Sequence, residues 1–310
     1  MKNTKKLITL FTACIAAGTL SAGIVHAEEA TLPTTDRSGK EISVPDEITK
    51  VICLAPSTAQ ILEELGVSDL LVAVDTQTPY YMEETAELPQ FDMMNPDCET
   101  ILSLDPDIVF ITGMSYIGSD DPYAELAAAG ICVAEIPSSE SIDAIKEDIL
   151  FVSECFGMKD EGTAIVDEMD AAMEEVRAIG ETITEKKTVL FEIACLPNIY
   201  SFGSGAFLDE MIQIIGAENI FADRESWIAV TEESAIAANP DVILTSVNYI
   251  EDPIGEILSR EGWEGVTAVK EAQVYSIDNA ASSLPNQNII TALYQMAKAV
   301  YPEAYADLAE

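Results

Sequence analysis

The sequence predicts an α/β fold with two parallel-sheet α/β lobes, bridged by one long helix, and a ligand cleft between the lobes. The apolar segment at residues 51–54 and the mostly apolar segment at 188–193 are typical of strands buried on both faces of a parallel sheet. Helical sequence follows each of them. A long amphipathic segment, at residues 160–183, lies between the two halves. These observations favour two similar lobes over one continuous domain.

The two halves share a repeated unit. Residues 99–112 and 233–246 align without gaps, with Glu, Pro and Asp at matching positions and an apolar run at the end of each. Each unit predicts a short helix that stops at Asp105-Pro106 or Asn239-Pro240, followed by a buried strand. The same helix–strand step is therefore expected once in each lobe.

The first lobe is expected to begin with a strand and a capped helix. After the strand at 51–54, Ser57 and Gln60 have the spacing of a capping box, and Gly66 marks the end of the helix. In the second half, the strand at 188–193 leads through a glycine-containing loop to a helix that stops at Gly216.

The segment that joins the lobes is predicted to be a helix of about 24 residues, or about 36 Å. Apolar residues recur along one of its faces at helical spacing, namely Ile165, Met169, Met173, Val176 and Ile179. Such a stiff connector predicts little bending between the lobes. The predicted organisation is a signal peptide at 1–27, an N-terminal α/β lobe at 28–158, the bridging helix at 159–185 and a C-terminal α/β lobe at 186–310.

The N-terminus is predicted to be an export signal. Three lysines within the first six residues precede an apolar stretch at 7–25, which ends in the small-residue sequence Val25-His26-Ala27. Cleavage is expected after Ala27, and the protein is expected to work outside the cytoplasm, in the periplasm or on the outer face of the cell membrane. An uncleaved anchor and lipidation at Cys14 are the alternatives.

The charge balance excludes several classes of partner. The chain has 310 residues, with 55 acidic and 15 basic side chains and a formal net charge of −40. A protein that binds nucleic acid needs clustered Lys and Arg to displace counterions from the phosphates. Beyond the first six residues the sequence contains no such cluster, so we expect no nucleic-acid partner.

The histidine and cysteine content limits the chemistry. The single His of the chain is His26, inside the predicted signal, which removes His-ligated metal sites and His-based catalysis from the mature protein. The five cysteines after the signal contain no Cys-x-x-Cys pair, and we interpret them as small buried hydrophobic residues. We expect no catalytic residues, no metal ligands and no enzyme activity. An exported α/β enzyme is the rival class.

Candidate ligand-binding residues follow the predicted strands, because ligands of open α/β sheets bind beyond the carboxyl ends of the strands. Aromatic, Met, Asn and Arg side chains gather there in both halves and suit a large, partly apolar ligand. The candidates are Tyr80, Tyr81, Met114, Tyr116, Tyr200, Phe202, Arg224, Trp227, Asn248 and Tyr249.

With these features the chain resembles the solute-binding proteins of ABC importers that serve ferric siderophores, haem and cobalamin, the Fe/B12 periplasmic-binding domain family. The resemblance extends over essentially all of the mature chain. It rests on the segments 35–45, 55–66, 99–109, 216–221, 233–246 and 293–302. The Glu-x-Ile-Leu-x-Leu-x-Pro-Asp pattern beginning at Glu99 is part of it.

The resemblance implies capture of a metal chelate between the lobes and its delivery to ABC importer permease subunits, by a monomer without a resident cofactor. Among ligands, an iron complex of the ferric siderophore type is favoured, with cobalamin or another corrinoid next and haem third. A role in sensing or adhesion is a further alternative. Family members dock on the permease through an exposed Glu on each lobe. The matching positions are Glu210 and the uncharged Gln60, for which Glu63 or Glu64 is the expected substitute.

Overall fold

The computed structural model describes residues 32–115 and 121–308 and contains two α/β lobes. The strands of the first lobe are β1 (Val51–Cys53), β2 (Leu71–Asp75), β3 (Gln90–Phe91), β4 (Ile108–Thr112) and β5 (Cys132–Ile136). Its helices are α1 (Pro56–Glu64), α2 (Cys98–Leu104), α3 (Ala124–Ala128) and α4 (Ile142–Cys155). The strands form one parallel five-stranded sheet in the order β3-β2-β1-β4-β5.

The second lobe follows the connecting helix α5 (Lys159–Gly180). Its strands are β6 (Thr188–Glu192), β7 (Ile199–Phe202), β8 (Glu218–Asn219), β9 (Trp227–Val230), β10 (Val242–Thr245) and β11 (Val274–Ser276). Its helices are α6 (Phe207–Ile214), α7 (Glu232–Ala238), α8 (Pro253–Leu258), α9 (Thr267–Lys270), α10 (Asn279–Ser283) and α11 (Ile289–Val300). A parallel sheet has the order β11-β10-β6-β8, and β7 pairs with β9 in an antiparallel ribbon that the sequence did not predict. The predicted two-lobed α/β fold class is confirmed.

The central strands are buried on both faces, which explains their uninterrupted apolar sequence. In β1, Val51 and Cys53 belong to one core cluster, while Ile52 between them belongs to another. In β6, Phe191 belongs to the same cluster as Val51 and Cys53, while the adjacent Leu190 belongs to a third cluster in the second lobe. One central core thus receives side chains from both sheets and from α5, and each sheet has an outer core of its own.

The repeated unit ends its helix in the same way in both lobes. Asp105 after α2 and Asn239 after α7 adopt left-handed C-cap conformations, with φ of 53° and 48°. Asp and Asn are the residues that tolerate this conformation best after Gly.

The aspartate of the repeated unit makes the same kind of hydrogen bond in both lobes. Asp107 accepts a hydrogen bond from the backbone N–H of Thr49 at 2.7 Å, and Asp241 accepts one from that of Thr188 at 2.9 Å. Asp107 therefore holds the start of β4 close to the chain just before β1. Asp241 holds the start of β10 close to the first residue of β6.

The predicted capping box at the start of α1 is wrong. The helix begins at Pro56, Ala55 is the N-cap without a side-chain hydrogen bond, and Ser57 already lies in the first turn. The Gln60 side chain accepts a hydrogen bond from Asn286 of the second lobe at 2.7 Å. A contact between lobes has replaced a local cap.

Helix α5 lies where the sequence predicted the bridging helix and buries Met169, Met173 and Val176 in the central core. Its 22 residues correspond to about 33 Å. The predicted signal peptide, Ala27 and Cys14 lie outside the described residues. In the part of the chain that the structure describes, no helix has the length and apolar character that a membrane span requires.

The five cysteines of the described residues are free thiols. Cys53, Cys132 and Cys155 are buried, as expected for small apolar residues, while Cys98 and Cys195 are partly exposed.

Candidate functional site

A cleft lies between the lobes, where loops from the carboxyl ends of strands meet. It consists of two adjoining cavities, which we call the inner chamber, of about 320 Å³, and the outer chamber, of about 580 Å³. The inner chamber is lined by Ala55, Pro56, Ser57, Gln77, Tyr81, Met93, Thr112, Met114, Pro137, Ser138, Ser139, Phe207, Trp227, Ser283, Leu284 and Pro285. The outer chamber is lined by Gln77, Tyr80, Tyr81, Asn248, Tyr249, Asp278, Asn279 and Ala280. Gln77 and Tyr81 therefore separate the two chambers and contribute to both.

The first-lobe wall of the inner chamber is built from strand ends. Ser57 follows β1, Met93 follows β3, Met114 follows β4, and Ser138 follows β5. Parallel strands end at a common edge of the sheet, so residues far apart in sequence converge there.

The second-lobe wall of the inner chamber is an aromatic cluster around Trp227. The Trp227 ring meets the Phe202 ring edge-on, with centroids 5.9 Å apart, and the Phe207 ring with centroids 6.2 Å apart. Phe202 is completely buried beneath Trp227. Edge-to-face aromatic packing of this kind fixes ring orientation, so Trp227 presents a rigid apolar surface to the chamber.

The outer chamber is open and bordered by tyrosines. Tyr80 is 81% exposed and Tyr249 is 63% exposed. The Tyr249 hydroxyl accepts a hydrogen bond from the backbone N–H of Cys195 at 3.1 Å, which orients its ring. Burial raises the pKa of Tyr81, whose phenol is neutral at physiological pH.

Two buried carboxylates stand directly behind the lining residues. Asp75 accepts hydrogen bonds from the backbone N–H groups of Gln77 at 2.8 Å and Met93 at 3.2 Å. Asp148 accepts a hydrogen bond from the hydroxyl of Ser139 and another from Arg37 Nε, the latter at 2.7 Å. Burial raises the pKa of both aspartates.

The two lobes contact each other on both sides of the cleft. On one side Gln60 accepts hydrogen bonds from Asn286 at 2.7 Å and from Asn288 at 3.2 Å. On the other, the backbone N–H of Ile142 donates to the Glu210 carboxylate at 3.4 Å.

These contacts bear on the docking residues predicted from the resemblance. Gln60 is 7% exposed and engaged by the second lobe, so it is not available on the surface. Glu210 is half-buried against α4. Glu63 and Glu64 are exposed, but they end α1 and so lie toward the edge of the sheet opposite the cleft.

The predicted ligand-binding residues divide into three groups. Those that line the cleft are Tyr80, Tyr81, Met114, Trp227, Asn248 and Tyr249. Those that do not line either chamber are Tyr200, Phe202 and Arg224. Tyr116 lies outside the described residues.

The three residues away from the chambers have other environments. Phe202 supports Trp227 from below, and Tyr200 is 40% exposed two residues earlier on β7. Arg224 is exposed, and its guanidinium stacks on Phe221 at 4.8 Å from the ring centroid. Its charge is therefore held at the surface of the second lobe.

Sequence reasoning missed several lining residues. Gln77 and Ser139 follow β2 and β5 directly, so the strand-end rule that selected the aromatics would have found them. Phe207 and Leu284 lie in helical or turn segments of the second lobe, and only the packing of the two lobes brings them to the chamber.

Within the described residues, no three His, Cys, Asp or Glu side chains converge as metal ligands would.

Comparison with known proteins defines the class. Residues 51–281 match the periplasmic binding protein family, and the chain belongs to this family, in its Fe/B12 class. It is the solute-binding component of an ABC transporter, a type of protein that partners with permease subunits outside the cytoplasm.

Three relatives are informative. The chain is 28% identical to an uncharacterised ABC transporter substrate-binding lipoprotein, YvrC of Bacillus subtilis, over 88% of this chain and 86% of the relative. It is 24% identical to the molybdate-binding protein MolA of Haemophilus influenzae, over 98% and 93%. The structure of MolA bound to molybdate superposes with a TM-score of 0.77 over 90% of this chain and 93% of MolA. A possible iron-binding periplasmic solute-binding protein of Staphylococcus epidermidis is 25% identical, with a TM-score of 0.72 over 83% and 100%.

Proposed function

We propose that this protein captures an iron complex of the ferric siderophore type between its lobes and delivers it to the membrane permease. The observation that carries the proposal is the two-chamber cleft, whose inner wall is the rigid aromatic surface of Trp227 and whose rim is formed by tyrosines. A chelate with an apolar periphery gains affinity from burial against such surfaces. The similarity to the possible iron-binding protein of Staphylococcus epidermidis supports it. The chelate is cargo, and the monomeric protein carries no cofactor of its own.

Two other ligand classes compete. Cobalamin or haem would use the same aromatic walls, and haem would lack a His ligand from the mature chain. A small oxyanion is favoured by the similarity to MolA and by the inner chamber, which has serine hydroxyls and the uncapped first turn of α1 on its wall.

The ligand is tested by titrating the purified mature protein with ferric siderophores, cobalamin, haem and molybdate, following tryptophan fluorescence and heat. The chain has two tryptophans, and Trp263 is completely buried with its indole N–H donating to Glu232 at 3.0 Å. Trp227→Phe keeps an aromatic ring in the cleft and leaves Trp263 as the matched reporter away from it. The proposal would be supported if an iron complex quenches the fluorescence of the wild-type protein saturably. In Trp227→Phe the quenching is expected to disappear, while calorimetry still detects binding of the same complex. Binding of cobalamin, haem or molybdate alone would overturn it.

We propose that docking uses Glu99 and Glu233, the equivalent first glutamates of the repeated unit. Both are exposed in the first turn of their helices, α2 and α7. Each helix ends just before the amino end of the next strand, so its first turn lies toward the cleft side of the lobe. One carboxylate per lobe, in equivalent positions, suits a permease that receives both lobes at once.

Charge reversal tests this docking surface. Glu99→Lys and Glu233→Lys are expected to abolish stimulation of the ATPase of the reconstituted importer, while ligand affinity stays at the wild-type value. Glu63→Lys is the matched control, because that glutamate is exposed at the far end of α1. Loss of stimulation in Glu63→Lys alone would return docking to α1.

We further propose that the protein is exported through its N-terminal signal, with cleavage after Ala27. The similar protein YvrC is a lipoprotein, which favours the alternative, lipidation at Cys14. The mass of the mature N-terminus separates the two, and release of Cys14→Ala from the membrane fraction would establish lipidation.

A further inference from the structure

The walls of the cleft carry an unusual balance of charge. Among the described residues, the lining of the inner chamber contains no charged side chain, and that of the outer chamber contains Asp278 alone. The described lining of the cleft therefore offers a ligand no cationic side chain with which to pair.

The buried groups behind the walls add negative charge. Asp75 is 1% exposed and is held by the backbone of Gln77 and Met93, both of which line the inner chamber. Asp148 is also 1% exposed and lies behind Ser139. Arg37 balances Asp148, whereas the hydrogen-bond partners of Asp75 are backbone N–H groups.

The bond between Ser139 and Asp148 also fixes what the hydroxyl offers to a ligand. The Ser139 hydroxyl donates its proton to the Asp148 carboxylate. The hydroxyl oxygen then presents lone pairs to the chamber, so it accepts hydrogen bonds and does not donate them. The Ser139 position therefore suits a ligand N–H or O–H group better than an anionic oxygen.

An anionic ligand would lose its hydration in this cleft and gain only the partial positive charge of the first turn of α1, without a cationic side chain among the described lining residues, a cost that grows as the site closes around it. The strongly acidic protein surface would also repel it during approach. A neutral or cationic chelate avoids both penalties.

We propose, building on the function proposed above, that the cleft selects iron complexes that carry no net negative charge, and that Gln77, on the wall shared by both chambers, is a specificity-determining position. Ferric trihydroxamates, whose metal centre is neutral, belong to the accepted class. Ferric tris-catecholates, haem with its propionates, and oxyanions belong to the rejected class.

The test is calorimetric titration with a neutral ferric trihydroxamate, the same type of complex with a free ammonium group, a ferric tris-catecholate, cobalamin, haem and molybdate. The two trihydroxamates are expected to bind at least about 100-fold more tightly than any anion. Gln77→Arg is expected to reverse this order by weakening the ammonium complex and strengthening the tris-catecholate.

Gln90→Arg is the matched control, since it adds the same charge at an exposed position on the short edge strand β3, outside both chambers. It is expected to retain the wild-type order of affinities, and thermal melting checks that both variants fold.

The outcomes separate the charge rule from the function on which it rests. Equal or tighter binding of the tris-catecholate by the wild type would overturn the charge rule and leave an iron complex as the ligand. If the protein binds cobalamin but none of the iron complexes, the proposed cargo is overturned, while the rule that anions are rejected still holds. Binding of molybdate or haem alone, or of nothing, would overturn both.

Discussion

At the residue scale, the clearest case is the buried ion pair of Arg260 and Glu192 in the second lobe. The guanidinium donates to both oxygens of Glu192, at 2.8 and 2.7 Å, and also to Glu256 at 2.6 Å. Its other face stacks on Trp263, with 4.8 Å to the ring centroid. Glu192 ends β6 and Glu256 lies in α8, so Arg260, two residues after α8, ties this helix to an inner strand of the sheet.

Replacing Arg260 by Met would leave the Glu192 carboxylate buried without its cation. We expect the free energy of unfolding in urea to fall by about 3–5 kcal/mol. The double variant Arg260→Met with Glu192→Met removes both charges and is expected to recover much of this loss. A single variant with wild-type stability would show that water reaches Glu192 and that the pair is not desolvated.

Glu210 gives stability a dependence on pH. Burial raises the pKa of its carboxyl, Asp143 and Asp209 raise it further, and the Ile142 N–H and Lys146 act in the opposite direction. A raised pKa in the folded state means that protonation favours folding; this contribution is complete below the pKa of the unfolded chain and is lost as pH rises through the folded-state pKa.

Glu210→Gln stays neutral and still accepts the Ile142 bond, so it is expected to gain stability relative to wild type between pH 4 and pH 7. Melting temperatures of both proteins across this range check the prediction. Glu168→Gln, an exposed position in the middle of α5, is the control. A constant difference between Glu210→Gln and wild type at every pH would show that the carboxyl titrates alike in both states.

At the element scale, the sequence predicted the buried strands and α5 because their patterns depend on burial alone. The repeat likewise predicted the stops at Asp105 and Asn239, which are set by local backbone preference. The predicted cap of α1 was wrong because the helix begins at Pro56, which places Ser57 in the first turn, and because Gln60 bonds to Asn286, a partner that is remote in sequence. The β7–β9 ribbon was missed for a similar reason, since its two short strands are joined only by tertiary pairing.

Helix α5 is fastened to the second lobe by a close approach of backbones. A Cβ atom on Gly180 would lie 2.2 Å from the carbonyl oxygen of Ile214 and 3.0 Å from the backbone nitrogen of Gly216. Gly180→Ala is therefore expected to destabilise the protein by about 1–3 kcal/mol, although Ala favours helices. Urea unfolding measures the effect, with Gly265→Ala, which meets no atom within 4 Å, as the control. Equal stability of the two variants would mean that α5 can shift away from the second lobe.

At the scale of the whole molecule, the cleft was predictable in place but only partly in composition. The rule that ligands bind beyond strand ends selected Tyr81, Met114 and Trp227, and all three line the chambers. It also selected Phe202, because sequence does not reveal that Trp227 covers this ring. Residues such as Leu284 reach the chamber only when the lobes are packed together.

The shared core predicts that the two lobes unfold together. Phe110 of the first lobe, Met173 of α5 and Phe207 of the second lobe belong to one continuous cluster of buried side chains. The Gln60–Asn286 bond closes the same interface. Separating the lobes would expose the apolar faces of both sheets, so a state with one folded lobe is costly.

Differential scanning calorimetry of the ligand-free protein is therefore expected to give one transition whose calorimetric enthalpy equals its van't Hoff enthalpy. Asn286→Ala, which removes a bond between the lobes but leaves the apolar core intact, is expected to lower the melting temperature and retain the single transition. Two resolved transitions in the wild-type protein would show that each lobe folds on its own outer core.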